Sequence, residues 1–297
     1  MKKRCLIDFN HLAMRNIFMH YNDIRSLNED HFGDGYQYLK YMIFRSLFSV
    51  MKKFKPDEYI VCTDGGKNWR KKFYPEYKAN RKVGREKSDM DWEEIFEVLH
   101  DHVEEIKTNF PFKVIGHDCL EADDTIGWFC KNKNDCINVI VSSDKDLYQL
   151  LRYDNVQQWD PIKKKLINIP DPISYIKEKV LTGDKGDNVP PVRPRMGIKT
   201  AEKIVADKTL YEKTIADHPE EVKRNTVLID LLHTPKQFDE KLEYKYNSYE
   251  FEHNDNTHLY SYFTKQKLTT FVDEIEVLGA RFKALLSKEE VSVDALF

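Results

Sequence analysis

Ile137-Asn138-Val139-Ile140-Val141-Ser142-Ser143-Asp144-Lys145-Asp146 is a short apolar run that breaks abruptly into carboxylates. The run is too short for a buried helix and rich in β-branched side chains, so it reads as a buried strand. Two more runs have the same form. Cys5–Phe9 contains Asp8, and Tyr59–Thr63 leads directly into Asp64. Between them Leu39, Ile43, Leu47, Val50 and Phe54 recur at helical spacing, which predicts an amphipathic crossover helix. Further helices are expected after Glu121 and after Asp146. Strands alternating with helices predict an α/β fold around a mostly parallel central sheet. Ligands in such sheets bind beyond the carboxyl ends of the strands, where the acids of this sequence fall.

The flanking segments differ in character. From Lys67 to Lys87 nine Lys or Arg face two acids, although the 297-residue chain carries a net charge of only −3. That basic segment runs into an amphipathic one containing Trp92, Ile95, Phe96 and Leu99, so residues 67–109 read as a helical insertion. Residues 157–169 are expected to form a small hairpin around Lys163–Lys165, and beyond Pro170 the chain turns mainly helical. The expected organisation is an α/β domain over 1–182, a helical region over 183–286 and a loosely held tail over 287–297. A hydrophobic content of 41% permits a substantial core. Five cysteines without a Cys-x-x-Cys pair argue against zinc and disulfides and for a reducing compartment. The basic start is interrupted by Asp8 too early for a signal peptide, and no stretch is long and apolar enough for a membrane, so a soluble cytoplasmic protein is expected.

Five groups carry the chemistry: Asp8; Asp64; Glu121, Asp123 and Asp124; Asp144 and Asp146; Asp184 and Asp187. Asp184 and Asp187 stand three apart, sharing one face if the segment is helical. Any one Asp after a strand is commonly a helix cap or turn residue. Caps need not converge on one sheet edge, and carboxylates packed together repel unless cations neutralise them. An all-oxygen set of this kind suits Mg²⁺, with Mn²⁺ as a substitute.

The order Asp8, Asp64, Glu-Ala-Asp-Asp (121–124), Ser-Ser-Asp-Lys-Asp (142–146) and Gly-Asp-Lys-Gly-Asp-Asn (183–188) resembles the flap endonuclease and 5′-3′ exonuclease superfamily, from residue 4 to about 206. Residues 155–159, 227–230 and 260–263 are similar to its phage ribonuclease H branch, extending the likeness almost to the C-terminus. The resemblance implies a PIN-like 5′-nuclease fold in which Asp8, Asp64, Glu121 and Asp123 surround a first metal. Asp144, Asp146 and Asp184 would surround a second, supported by Asp187. Asp124 is the weakest member and has an alternative as a helix cap. Two ions about 4 Å apart activate water and stabilise the leaving oxygen of an in-line displacement.

In the basic segment, a helix starting near Pro75 would direct Lys78 and Arg81 the same way, as catalytic cations over the scissile phosphate. Tyr77 is expected to stack on an exposed base and Arg70 to contact phosphate. The family likeness makes this segment an arch through which a single-stranded 5′ end passes. Residues 188–206 resemble the family's helix-hairpin-helix, with Gly197 opening backbone amides to duplex phosphate and Lys199 and Thr200 adding contacts. Arg195 stands where a second glycine is usual, which weakens any monovalent-cation site.

The expected activity is metal-dependent 5′-3′ exonuclease and flap cleavage with ribonuclease H-type action on RNA primers and adjacent DNA during replication. The substrates would be DNA and RNA–DNA hybrid with a free 5′ end or flap, handled by a monomer. Val293-Asp294-Ala295-Leu296-Phe297 reads as a docking peptide for a sliding clamp or single-strand-binding protein, or as a tail packed on its own core. Two rival readings are a PIN-type ribonuclease and a non-catalytic nucleic-acid-binding replication factor.

Overall fold

Cys5 and Ile7 of β1 (Lys3–Asp8) enter one apolar core while Leu6 enters another, the alternation of a strand buried on both faces. β2 (Glu58–Thr63) divides in the same way, Tyr59 and Val61 on one side and Ile60 and Cys62 on the other. β3 (Lys113–Gly116) is short, and β4 (Ile137–Val141) repeats the alternation with Val139 and Val141 opposite Ile140. β5 (Val156–Asp160) and β6 (Lys165–Leu166) complete a six-stranded sheet of order β3-β2-β1-β4-β5-β6. The first five strands are parallel and only β6 is antiparallel. The computed structural model describes residues 1–31, 34–253 and 255–287.

The sheet is mixed α/β and mostly parallel, as expected. β3 escapes the sequence reading because four residues ending in Gly116 are too few to show a pattern. The β5–β6 pair is the expected hairpin.

Helices cover both faces. α1 (Phe9–His31), α2 (Asp34–Phe54) and the helices Asn256–Lys265 and Ile275–Leu286 pack with one core. Between β2 and β3 lie α3 (Arg70–Phe73), α4 (Ala79–Glu86) and α5 (Trp92–Asn109); α5 sends Ile95, Leu99 and Ile106 into that same core. α6 (Ala122–Asn132), the 3₁₀ helix Asp146–Arg152, Phe238 and Leu242 build the other. Thus the helical C-terminal third buries apolar side chains on both sides of the sheet.

The two ends of the strands differ electrostatically. At the amino end Arg4, only 1% exposed, donates to Glu58 (2.6 Å), Asn138 (3.1 Å) and Tyr246 (3.3 Å). Charge there is matched. At the carboxyl end the chain leaves β1 outward through β2 and β3, then recrosses to β4, so a crevice opens between diverging connections. Acids gather at that end.

Candidate metal centre

Asp8 is the last residue of β1, Asp64 follows β2, Glu121 and Asp123 begin α6, and Asp144 and Asp146 follow β4. In-register parallel pairing therefore brings residues more than a hundred positions apart to one edge. Hydrogen bonds lace the turns together. Ser142 donates to Asp8 (2.9 Å), and the Asp144 amide donates to Ser142 (3.0 Å). The Asp146 amide donates to Asp144 (2.8 Å), and the Ala122 amide to Asp64 (2.8 Å). Gly65 permits the Asp64 turn, since a Cβ there would stand 2.3 Å from the His117 carbonyl oxygen.

The fifth acidic group arrives from another element. α7 (Pro172–Thr182) ends at Gly183, whose φ of 68° lies in the left-handed region that favours glycine. The following turn is closed by the bridge between Asp184 and Val189. It is not helical, so the expected shared helix face is replaced by a turn in which Asp184 accepts from the Gly186 (2.8 Å) and Asp187 (3.2 Å) amides. Glu121, Asp123, Asp146, Asp184 and Asp187 line one pocket with Lys78 and Tyr77.

Charge among the acids of this sheet edge is unevenly compensated. Burial, with the nearby charges of Asp64 and Asp144, pushes the Asp8 carboxyl up to about 7. Burial also dominates at Asp146, held at about 6 against the opposing pull of Lys179. Asp123 rises well above the usual carboxylate range through desolvation and the charges of Asp8, Asp144, Asp146 and Glu121. Glu121 behaves oppositely: desolvation would raise it, but Lys78 and Arg70 hold it down at about 2.

The cations come from two places. Lys78 contacts Glu121 directly and lies 3.5 Å from Asp187, which also pairs with Arg81 (2.6 Å) and accepts from the Tyr77 hydroxyl (3.0 Å). Lys179 of α7 contacts Asp146 and reaches Asp184 at 3.0 Å. With these acids turned toward cations, no three of the described His, Cys, Asp or Glu side chains are close enough to grip an ion in this arrangement.

Four expectations are revised by the geometry. Asp124 is fully buried and held by Arg70 through two bonds (2.8 and 2.7 Å), by Trp69 (3.3 Å) and by Thr234 (2.7 Å). Its carboxylate also accepts from the Glu121 amide in a capping box, so it is a structural cap rather than a ligand. Arg70 is correspondingly withdrawn from any phosphate. Tyr77 is 3% exposed, its ring packed with Ile176, Val189 and Leu228 and its hydroxyl on Glu121 (2.9 Å), so it offers no face to a base. Lys78 precedes α4 in the left-handed region (φ 58°) rather than lying inside a helix from Pro75. Its amide is tied to the Asp187 carbonyl (2.9 Å), and this link aims both Lys78 and Arg81 at the acids.

Gly197 caps α8 (Ile198–Ala206), with Lys199 exposed beside it and Thr200 half-buried in the first turn. Nothing lies within 4 Å of where its Cβ would be, so the helix start is open to a large anion. Arg195 does adopt the left-handed conformation (φ 59°) where glycine is usual. The proposed docking peptide lies outside the described residues. Sequence reasoning missed Lys179, which is five positions from Asp184 but 33 from Asp146, and Ser142, whose hydroxyl links Asp8 to Asp144.

The sequence model for the 5′-3′ exonuclease N-terminal resolvase-like domain matches residues 3–181. Ribonuclease H of Enterobacteria phage T4 is 33% identical over 298 residues, 91% of this chain and 95% of that protein. A 5′-3′ exonuclease of Buchnera aphidicola is 31% identical over 67% of this chain and 69% of its own length. Among solved structures, a bacteriophage T5 flap endonuclease complex with DNA and metal ions superposes with a TM-score of 0.62. It is 21% identical and covers 94% of this chain and all of its own. Another T5 structure, crystallised with metal ions, gives a TM-score of 0.60.

Proposed function

The chain belongs to the 5′-3′ exonuclease family, and on that premise we propose that its acidic crevice is the metal centre of a 5′-nuclease acting on flaps and primer ends. It hydrolyses phosphodiester bonds of DNA and of RNA paired to DNA, leaving a 5′-phosphate. The observation that carries the assignment is Asp123. Its carboxylate has no hydrogen-bond or ion-pair partner among the described residues, yet four other acids surround it. A protein gains nothing from such repulsion without a multivalent cation to relieve it.

The donor set fits a hard divalent ion, because every candidate ligand is a carboxylate. Asp8, Asp64, Glu121 and Asp123 would hold one ion; Asp144, Asp146 and Asp184, with Asp187 behind them, a second. Mg²⁺ is the proposed ion, with Mn²⁺ substituting. When bound, such ions supply Lewis-acid activation of water and of the phosphodiester. The protein's own contribution is position and charge. Lys78 and Arg81 place fixed cations at the pocket mouth for the scissile phosphate and the charge that develops on it. Gly197, Lys199 and Thr200 offer an anion site that grips duplex phosphate without reading sequence. In that arrangement residues 67–109 form an arch for the single strand.

Domain limits of 1–182, 183–286 and 287–297 belong to the same reading. So do a monomeric enzyme in the cytoplasm, of a host cell if phage-encoded, and capture of a clamp or single-strand-binding protein by residues 293–297. No described helix is long and apolar enough to cross a membrane. The test is cleavage of 5′-labelled flap, nicked-duplex and RNA–DNA hybrid substrates with Mg²⁺ and with chelator. Short 5′ products that need Mg²⁺, lost in Asp123→Asn while DNA binding persists, are expected. Binding without turnover in the unaltered protein would reject the nuclease reading.

A further inference from the structure

The two halves of the pocket are neutralised in different ways. Asp8 accepts only neutral donors, the His11 amide (3.1 Å) and the Ser142 hydroxyl, and Asp64 accepts the Ala122 amide. Among the described residues no lysine or arginine is ion-paired with Asp8, Asp64 or Asp123. Asp146 and Asp184 are instead bridged by a single ammonium. Lys179 stands in the last turn of α7 with its side chain 17% exposed, in contact with Asp146 and 3.0 Å from Asp184. These acids come from separate elements, the start of the 3₁₀ helix and the turn after Gly183. Without a shared cation their charges would push the two elements apart.

We propose that Lys179 is a built-in counter-cation for the Asp146–Asp184 half of the pocket: it keeps that half assembled, and a divalent ion must displace it to enter. The consequence is an order of filling. An ion entering beside Asp8, Asp64 and Asp123 breaks no ion pair at those three carboxylates; only Glu121 of that group is already paired, with Lys78 and Arg70. An ion entering between Asp146 and Asp184 must break an existing partly buried ion pair at both carboxylates. The Asp146–Asp184 half is therefore the weaker site, and its weakness is set by Lys179. Lys179 is thus a positioning residue, acting through the two acids it holds.

The inference rests on the metal-centre reading and is tested by calorimetric titration of the full chain with Mn²⁺ in the absence of nucleic acid. The unaltered protein is expected to bind in two steps of different affinity. In Lys179→Met the weaker step should tighten tenfold or more, about 1.4 kcal/mol or more. Without metal the variant should melt at a lower temperature, and Mn²⁺ should restore it. Lys179→Arg keeps the cation and should retain the wild-type gap. If Lys179→Met does not fold, Lys179→Gln, which keeps the stem but not the charge, gives the same comparison. A folded variant whose weaker step is unchanged or weakened would overturn the proposal while leaving the nuclease reading intact. Failure of the unaltered protein to bind Mn²⁺ and to cut a flap would instead reject the metal centre itself.

Discussion

Replacing Arg70 by alanine separates the role its sequence context suggests from the one its surroundings impose. The guanidinium donates to both oxygens of Asp124 at 2.8 and 2.7 Å and to the Leu228 carbonyl at 2.9 Å, with 1% of the residue exposed. Asp124 is wholly buried, so Arg70→Ala leaves a carboxylate in the core with only Trp69, Thr234 and one amide as neutral donors. Breaking a buried pair on one side costs about 3–5 kcal/mol. Domains are typically stable by only about 5–15 kcal/mol, so a substantial share of the total is at risk. For a chain of this size the melting temperature should fall by roughly 6–20 °C, at about 2–4 °C per kcal/mol. Urea unfolding followed by tryptophan fluorescence is well placed to read the change, because the Trp69 ring lies 4.6 Å from the guanidinium. Arg70→Met combined with Asp124→Leu should lose less than either single variant, since neither charge then remains buried. Destabilisation below about 1 kcal/mol, or weaker DNA binding at unchanged stability, would refute the structural role and restore a phosphate contact.

Other outcomes follow from the uneven charge of the pocket. In the metal-free protein Asp8 and Asp146 keep their protons up to about pH 7 and about pH 6, whereas the unfolded chain loses them near the ordinary 3.8. The folded state then binds more protons, so stability should decline as pH rises from about 4 to about 7 and level off above. Glu121 acts in the opposite sense, but only between the ordinary 4.5 and about 2. Thermal melts in chelator across pH 4–8, repeated with Mg²⁺, check this; a melting temperature that rises over the window in chelator contradicts it. Asp123→Asn should raise the metal-free melting temperature by relieving repulsion even as it removes cleavage, and a lower melting temperature would count against the unpaired acid. Arg81→Ala should reduce single-turnover cleavage by about 10²–10³-fold, with stability little changed because its guanidinium is half exposed. Equal rates in the variant and the parent would remove Arg81 from the phosphate site.

Much of this protein was readable before any coordinates. Each of the three strands recognised from its apolar run ends beside an acid, because a strand buried on both faces must be continuously apolar and its end is where polar chemistry resumes. That logic exposed Asp8, Asp64, Asp144 and Asp146, and the loop-to-helix entry exposed Glu121 and Asp123. The basic segment was legible as charge density, and the turn after Gly183 as a cluster of Gly and Asp.

Tertiary structure decided which of these charges are free and which are already spent on one another. Asp124 and Arg70 look like pocket residues in one dimension; α6 turns Asp124 inward by one position relative to Asp123, and the core closes over the pair. Tyr77 lies beside Lys78, yet the turn before α4 buries the ring and sends the ammonium outward to Glu121. Lys179 was missed because Asp146, the acid it joins to Asp184, lies on another element. Burial and ion pairing depend on which face of which element meets another, and that is a property of packing, whereas strand ends and carboxylates are properties of the chain itself.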